Sequence, residues 1–226
     1  VIGITSSLTT IQVYEETTSL RPGEPVAGTG SPMTVTLGPG ILDNIFDGIE
    51  RPLKAIEEKA GAFIERGLDV SPLDEEKIWE VTVTVRPGDM LQEGQPYAYC
   101  QETPLIRHFC LVPPGMSGRV VSARENGGCR LNDTVVELED GKGNQHSLTL
   151  CQKWPIRVPR PVERRLPASI PLITGQRVID TLFPISKGGA AAIPGGFGTG
   201  KTMTQHQLAK WCDADIIIYV GCGERG

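Results

Sequence analysis

Period-two alternation opens the chain. Thr10–Tyr14 alternates polar and apolar positions, Arg21–Pro25 is turn chemistry, and Met33–Leu37 alternates again. The first 40 residues are therefore expected to be strands. Gly38–Gly40 ends that run. Ile41, Leu42, Ile45, Phe46 and Ile49 then recur at helical spacing, with Asp43 and Asp47 on the other side, which predicts a short helix ended by Pro52. From about Ala55 to Pro159 the pattern is one of strands cut by turns. Trp79–Val85 holds period two throughout, Arg119–Ala123 and Thr134–Leu138 are further strands, and Asp140–Asn144 has the composition of a hairpin turn. Trp154–Pro161 is studded with proline and is expected to run extended.

After Pro167 the texture changes. Gln176–Leu182 is helical in period, and Ala190–Pro194 is a short apolar run suited to a buried strand. Lys201–Trp211 lacks glycine and proline and suits a helix. Ile216–Val220 is a continuous apolar run, as for a parallel strand covered on both faces. Strand, glycine-rich turn, helix, strand is the order of a βαβ unit in a nucleotide-binding sheet.

Composition narrows the classes. The 226 residues suffice for one or two domains, and 39% apolar with 22% charged residues fits a soluble globular protein. With 27 glycines, 18 prolines and 5% aromatics, short strands are favoured over a helical bundle. A net charge of −5 argues against a nucleic-acid-binding surface over the whole chain. No apolar run approaches the ~18 residues of a membrane span. The start, Val1–Thr5, lacks Met and a basic segment, so no signal peptide is expected there; the chain resembles a piece of something longer. Six cysteines without a CxxC pair are expected to be reduced thiols, and the three histidines show no metal-ligand spacing with them. Lys153, Arg157, Arg160, Arg164 and Arg165 form a basic strip, either a solvated linker or an anion-attracting surface.

The chemistry concentrates at Gly195-Gly196-Phe197-Gly198-Thr199-Gly200-Lys201-Thr202, which fits G-x-x-x-x-G-K-[ST]. Its glycines would let backbone N–H groups curl around phosphate oxygens at a helix N-terminus. Lys201 would reach the β- and γ-phosphates and Thr202 would give its hydroxyl to Mg²⁺. Directly after the apolar run 216–220 stands Gly221–Gly226, at what would be the carboxyl end of a strand, where open α/β sheets hold ligands. A carboxylate there, Glu224, could orient and deprotonate a water, and Arg225 could stabilise developing charge on the γ-phosphate.

Five blocks in order, Gly38–Leu53, Pro171–Asp180, Gly195–Thr202, Gln205–Trp211 and Tyr219–Gly226, together resemble the catalytic A subunit of V-type and A-type rotary ATPases. The resemblance covers essentially the whole chain. It implies four parts: 1–40 as the remainder of an N-terminal β-barrel, 41–54 as a connector, 55–159 as an inserted, β-rich bulge domain, and 160–226 as the start of a RecA-like P-loop α/β domain. It implies ATP or ADP with Mg²⁺ on Gly195–Thr202, Glu224 as catalytic carboxylate, and Lys201 and Arg225 on the phosphates. The implied partners are B subunits alternating with A in a hexamer, central and peripheral stalk subunits and, indirectly, a membrane ion-translocating sector. The place would be the cytoplasmic side of a membrane. The eukaryotic V-type loop carries a cysteine where Thr199 stands, so thiol switching at the loop is not implied here. F-type and secretion-type hexameric ATPases are the alternatives, against which the insert argues. A non-enzyme alternative comes from Val85–Gln95 and Pro113–Gly118, which look like halves of a biotinyl or lipoyl carrier. A carrier needs a lysine at a hairpin tip, and only Lys142 stands between Trp79 and Cys151, without the flanking residues.

Overall fold

A computed structural model describes residues 1–65, 67–160, 162 and 164–223. The chain divides into two compact units, Val1–Pro161 and Val162–Gly226.

In the first unit, β1 (Gly3–Ile4) and β2 (Thr9–Thr10) form a small antiparallel hairpin. β3 (Thr34–Leu37) follows, and then α1 (Leu53–Ala60). Nine strands come next: β4 (Trp79–Val83), β5 (Met90–Leu91), β6 (Pro96–Gln101), β7 (Arg107–Leu111), β8 (Gly118–Ala123), β9 (Gly127–Cys129), β10 (Val136–Glu139), β11 (Gln145–Leu148) and β12 (Gln152–Pro155). They make two four-stranded antiparallel sheets, in the orders β11-β10-β8-β5 and β7-β6-β4-β9, while β12 pairs with β3. The inward positions of both sheets share one core that includes Val81, Cys100, Cys110, Val120, Val136 and Leu138. Alternation of buried and exposed positions along β8 and β10 is what seats one face of each strand in that core. Burial pushes the Cys100 and Cys110 thiols up to about 11 and about 12, so both are neutral packing groups. All six cysteines are free.

Three expectations fail in this unit. Residues 41–49 form turns, and the helix begins only after Pro52. Asp47 accounts for this: its carboxylate accepts from the N–H groups of Ile49 and Arg51 at 3.0 and 2.8 Å and from Arg51 Nε at 2.7 Å. Those local bonds hold a loop that a helix would have to break. Of the strand expected at Thr10–Tyr14 only Thr10 is paired, as the end of β2; β1 and β2 share one two-stranded sheet, and β3 pairs with β12 in another. The proline-rich run is extended only to Pro155; Val158 N–H then bonds back to Pro155 O at 3.1 Å in a turn, and its carbonyl receives buried Trp154 Nε1 at 2.6 Å. The carrier-like stretches contribute β5 and the start of β8, and Lys142 sits in the exposed turn between β10 and β11.

The second unit contains β13 (Pro171–Leu172), α2 (Arg177–Leu182), β14 (Ile185–Ser186) and α3 (Lys201–Trp211), with β13 and β14 antiparallel. Neither Ala190–Ile193 nor Ile216–Val220 forms a strand, and residues 216–220 are 45 to 84% exposed. A strand exists by pairing, and among the described residues neither run has a neighbouring strand to pair with. No helix among the described residues is long and apolar enough to cross a membrane.

Candidate functional site

The glycine-rich loop runs into α3 at Gly200, which takes φ +86° as the residue before the helix and makes no side-chain cap bond. A left-handed conformation there suits glycine. The first N–H groups of a helix have no intrahelical partners, and the helix dipole adds partial positive charge at the same place. Gly195 is constrained for a different reason. A Cβ there would stand 2.4 Å from Thr199 Oγ1 and 3.3 Å from Thr199 Cβ. The Thr199 hydroxyl donates to Gly196 O at 2.9 Å, which ties the loop across its own mouth.

Lys201 opens α3 and folds back over the curl. Its ammonium donates to Gly195 O and, at 3.2 Å, to Gly196 O. The cation is therefore held over the loop rather than projected into solvent, in the place where it can meet an anion on the helix N-terminus. Thr202 follows in the first turn, half-buried, so that a hydroxyl lies next to the ammonium in sequence and on the same helix end. Phe197 is fully exposed at the loop's outer edge. The donor set fits a polyphosphate: backbone N–H groups, one ammonium and one hydroxyl, with a glycine where a side chain would fill the curl.

The structure thus brings Gly195, Gly196, Phe197, Gly198, Thr199, Gly200, Lys201 and Thr202 into one loop and helix start. Glu224 and Arg225 lie outside the described residues.

Sequence reasoning missed the groups that anchor this helix from its other end. Asp213 N–H donates to Ile173 O at 3.0 Å, and Asp213 Oδ1 accepts from Ile173 N–H at 3.0 Å. Its other oxygen pairs with Lys187 Nζ at 2.7 Å. The hydrogen bond from Lys187 lowers the Asp213 carboxyl, and the Asp213 carboxylate in turn raises the Lys187 ammonium, from their ordinary values. Fully buried Thr174 donates its N–H and hydroxyl to Asp180 Oδ1 at 2.9 and 2.6 Å, which ties the same segment to α2. One signal stood in the sequence: an aspartate just past a helix C-terminus is disfavoured by the dipole, so its presence implies a partner.

Comparison with known proteins agrees with both units. The family model for the ATPsynthase alpha/beta subunit barrel-sandwich domain matches residues 70–157, and that for the ATP synthase alpha/beta family nucleotide-binding domain matches residues 175–226. Over all 226 residues the chain is 58% identical to the V-type ATP synthase alpha chain of Halothermothrix orenii and 55% identical to the A subunit of the A-type ATP synthase of Methanopyrus kandleri. It is 54% identical to the V-type ATP synthase alpha chain 2 of Clostridium tetani. The chain spans 38% of the length of each of these relatives. Identity above one half at full coverage of the chain, with both domains matched in order, establishes that it belongs to the alpha-chain family of V-type and A-type ATP synthases.

Proposed function

We propose that this chain carries the phosphate-binding part of a catalytic A subunit, in an ATPase that couples ATP hydrolysis or synthesis to movement of H⁺ or Na⁺ across a membrane. The observation that carries this is the Lys201 ammonium folded onto the Gly195 and Gly196 carbonyls at the N-terminus of α3. In this reading Gly195–Thr202 wraps the phosphates of ATP or ADP, Lys201 meets the β- and γ-oxygens, and Thr202 offers its hydroxyl to Mg²⁺. When bound, Mg²⁺ neutralises charge on those oxygens. Glu224 takes a proton from the attacking water and Arg225 stabilises the charge developing on the γ-phosphate. Protein groups fixed before the reaction supply this stabilisation without reorganising.

The proposal extends to organisation. Residues 1–40 belong to an N-terminal β-barrel, 41–54 connect, 55–159 form the inserted bulge domain that meets other subunits, and 160–226 begin the RecA-like nucleotide-binding domain. B subunits alternate with A in a hexamer that stalk subunits join to the membrane sector, on its cytoplasmic side.

Lys201→Ala tests the site. Made in the full-length protein within its complex, it removes a preorganised cationic contact and should lower ATP turnover by at least roughly a hundredfold. Near-normal turnover by an assembled complex would remove the loop from the mechanism.

A further inference from the structure

The second unit poses a mechanical question about α3. This helix presents Lys201 and Thr202, yet none of its 11 residues is fully buried. Its C-terminal end is instead marked by a set of specific polar ties to two other segments of the same unit.

The ties are at the C-terminal end. Asp213, two residues beyond α3, exchanges two hydrogen bonds with the backbone of Ile173, one through its N–H and one through its carboxylate, both 3.0 Å. The remaining carboxylate oxygen pairs with Lys187 at 2.7 Å, just beyond β14. Two residues along from Ile173, Gly175 stands at φ +75° against Trp211, the last residue of α3, where an added Cβ would lie 3.0 Å from Trp211 Cβ. Asp213 alone thus joins three pieces of chain: the end of α3, the end of β13 and the segment after β14. Nothing in the phosphate chemistry uses it.

We infer that Asp213 is a positioning residue for the phosphate loop, fixing the far end of α3 so that Lys201 and Thr202 stand where the phosphates are held. The inference rests on the reading of Gly195–Thr202 given above. At ~1.5 Å per residue the helix is about 16 Å long, a stiff rod with the loop at one end and the Asp213 clamp at the other. Releasing the clamp lets the rod tilt. A shift of ~1 Å at a positioned group costs up to ~10²-fold in rate, even when the substitution lies far from the chemistry.

The test uses the full-length protein in its assembled complex, with assembly checked by native mass spectrometry and MgADP affinity measured by titration. Asp213→Ala is expected to weaken MgADP binding roughly tenfold, the size of about one misaligned phosphate contact. Asp213→Asn keeps an oxygen for the Ile173 N–H but loses the ion pair, and should recover part of the loss. Lys187→Met removes only the ion pair, at a half-exposed site, and should cost no more than Asp213→Asn. Combining Lys187→Met with Asp213→Asn should add nothing, because both remove the same interaction. A purely structural role would lower the melting temperature of these variants while leaving MgADP affinity at the wild-type value, and that result overturns the inference. Should Asp213→Ala fail to assemble, wild-type affinity in both Asp213→Asn and Lys187→Met overturns it equally. Lys201→Ala in the same titration separates the two ideas. If it loses MgADP while the Asp213 and Lys187 variants do not, only the positioning role fails. If it too binds normally, the phosphate-loop reading itself fails.

Discussion

A methyl group on Gly195 would stand 2.4 Å from the Thr199 hydroxyl, in a curl that the same hydroxyl closes by bonding to Gly196 O. Gly195→Ala should therefore turn the hydroxyl away, open the curl and weaken nucleotide binding in the assembled complex. Removing the obstacle should restore part of it, so the double variant Gly195→Ala with Thr199→Ala is expected to bind more tightly than Gly195→Ala alone. Equal affinity of the two variants would show that the close approach does not matter. Glu224→Gln addresses chemistry instead of fit. It keeps size and hydrogen-bonding capacity but removes basicity, so nucleotide should still bind while hydrolysis falls ~10²- to 10⁴-fold. Parallel losses in affinity and turnover on the same mutant complex would make Glu224 a structural residue.

At the scale of elements, the sandwich is where burial is deepest. Leu138 on β10 is completely buried between its neighbours Val120 and His146. Leu138→Ala should cost ~2–5 kcal/mol, because the surrounding sheets can only partly collapse into the space. A denaturant midpoint shift near zero would contradict that picture of the core. The same burial explains which elements the sequence announced. Trp79–Val83 alternates because one face of β4 meets the core, and the alternation survives in the residues themselves. Lys201–Trp211 was legible end to end, since a glycine precedes it and no breaker interrupts it. The loop at Gly195–Thr202 was legible because its spacing is dictated by a curl around phosphate oxygens, a local geometry. Residues 41–49 misled because helical spacing of apolar residues cannot reveal that the Asp47 carboxylate binds two nearby N–H groups and the Arg51 side chain. Of the Asp213 anchor only the need for a partner was legible: the partners themselves, Ile173 and Lys187, are 40 and 26 positions away and nothing local names them.

The whole chain combines a finished core with an unfinished one. Residues 70–157 match a family domain and enclose a continuous apolar cluster between two sheets. Among the described residues of 162–226, the only sheet is the two-stranded β13–β14 pair, α2 and α3 bury no residue fully, and Ile216, Ile217, Ile218 and Val220 are exposed. A two-stranded sheet is marginal in water by itself, and an apolar run left open to solvent needs other strands to cover it. Phosphate contacts alone should then hold nucleotide weakly. In the function proposed above the site is shared with a neighbouring B subunit, and groups supplied in trans stabilise the transferring phosphate. The 226-residue chain on its own is therefore expected to show no ATP turnover above background while its β-rich part stays folded. Amide hydrogen exchange should find the slow amides in β4, β6, β8 and β10 and fast exchange throughout 216–220, since exchange follows local opening. Multiple turnovers by the purified chain, or strong protection of residues 216–220 in it, would show that the second unit completes its site without further strands or a partner.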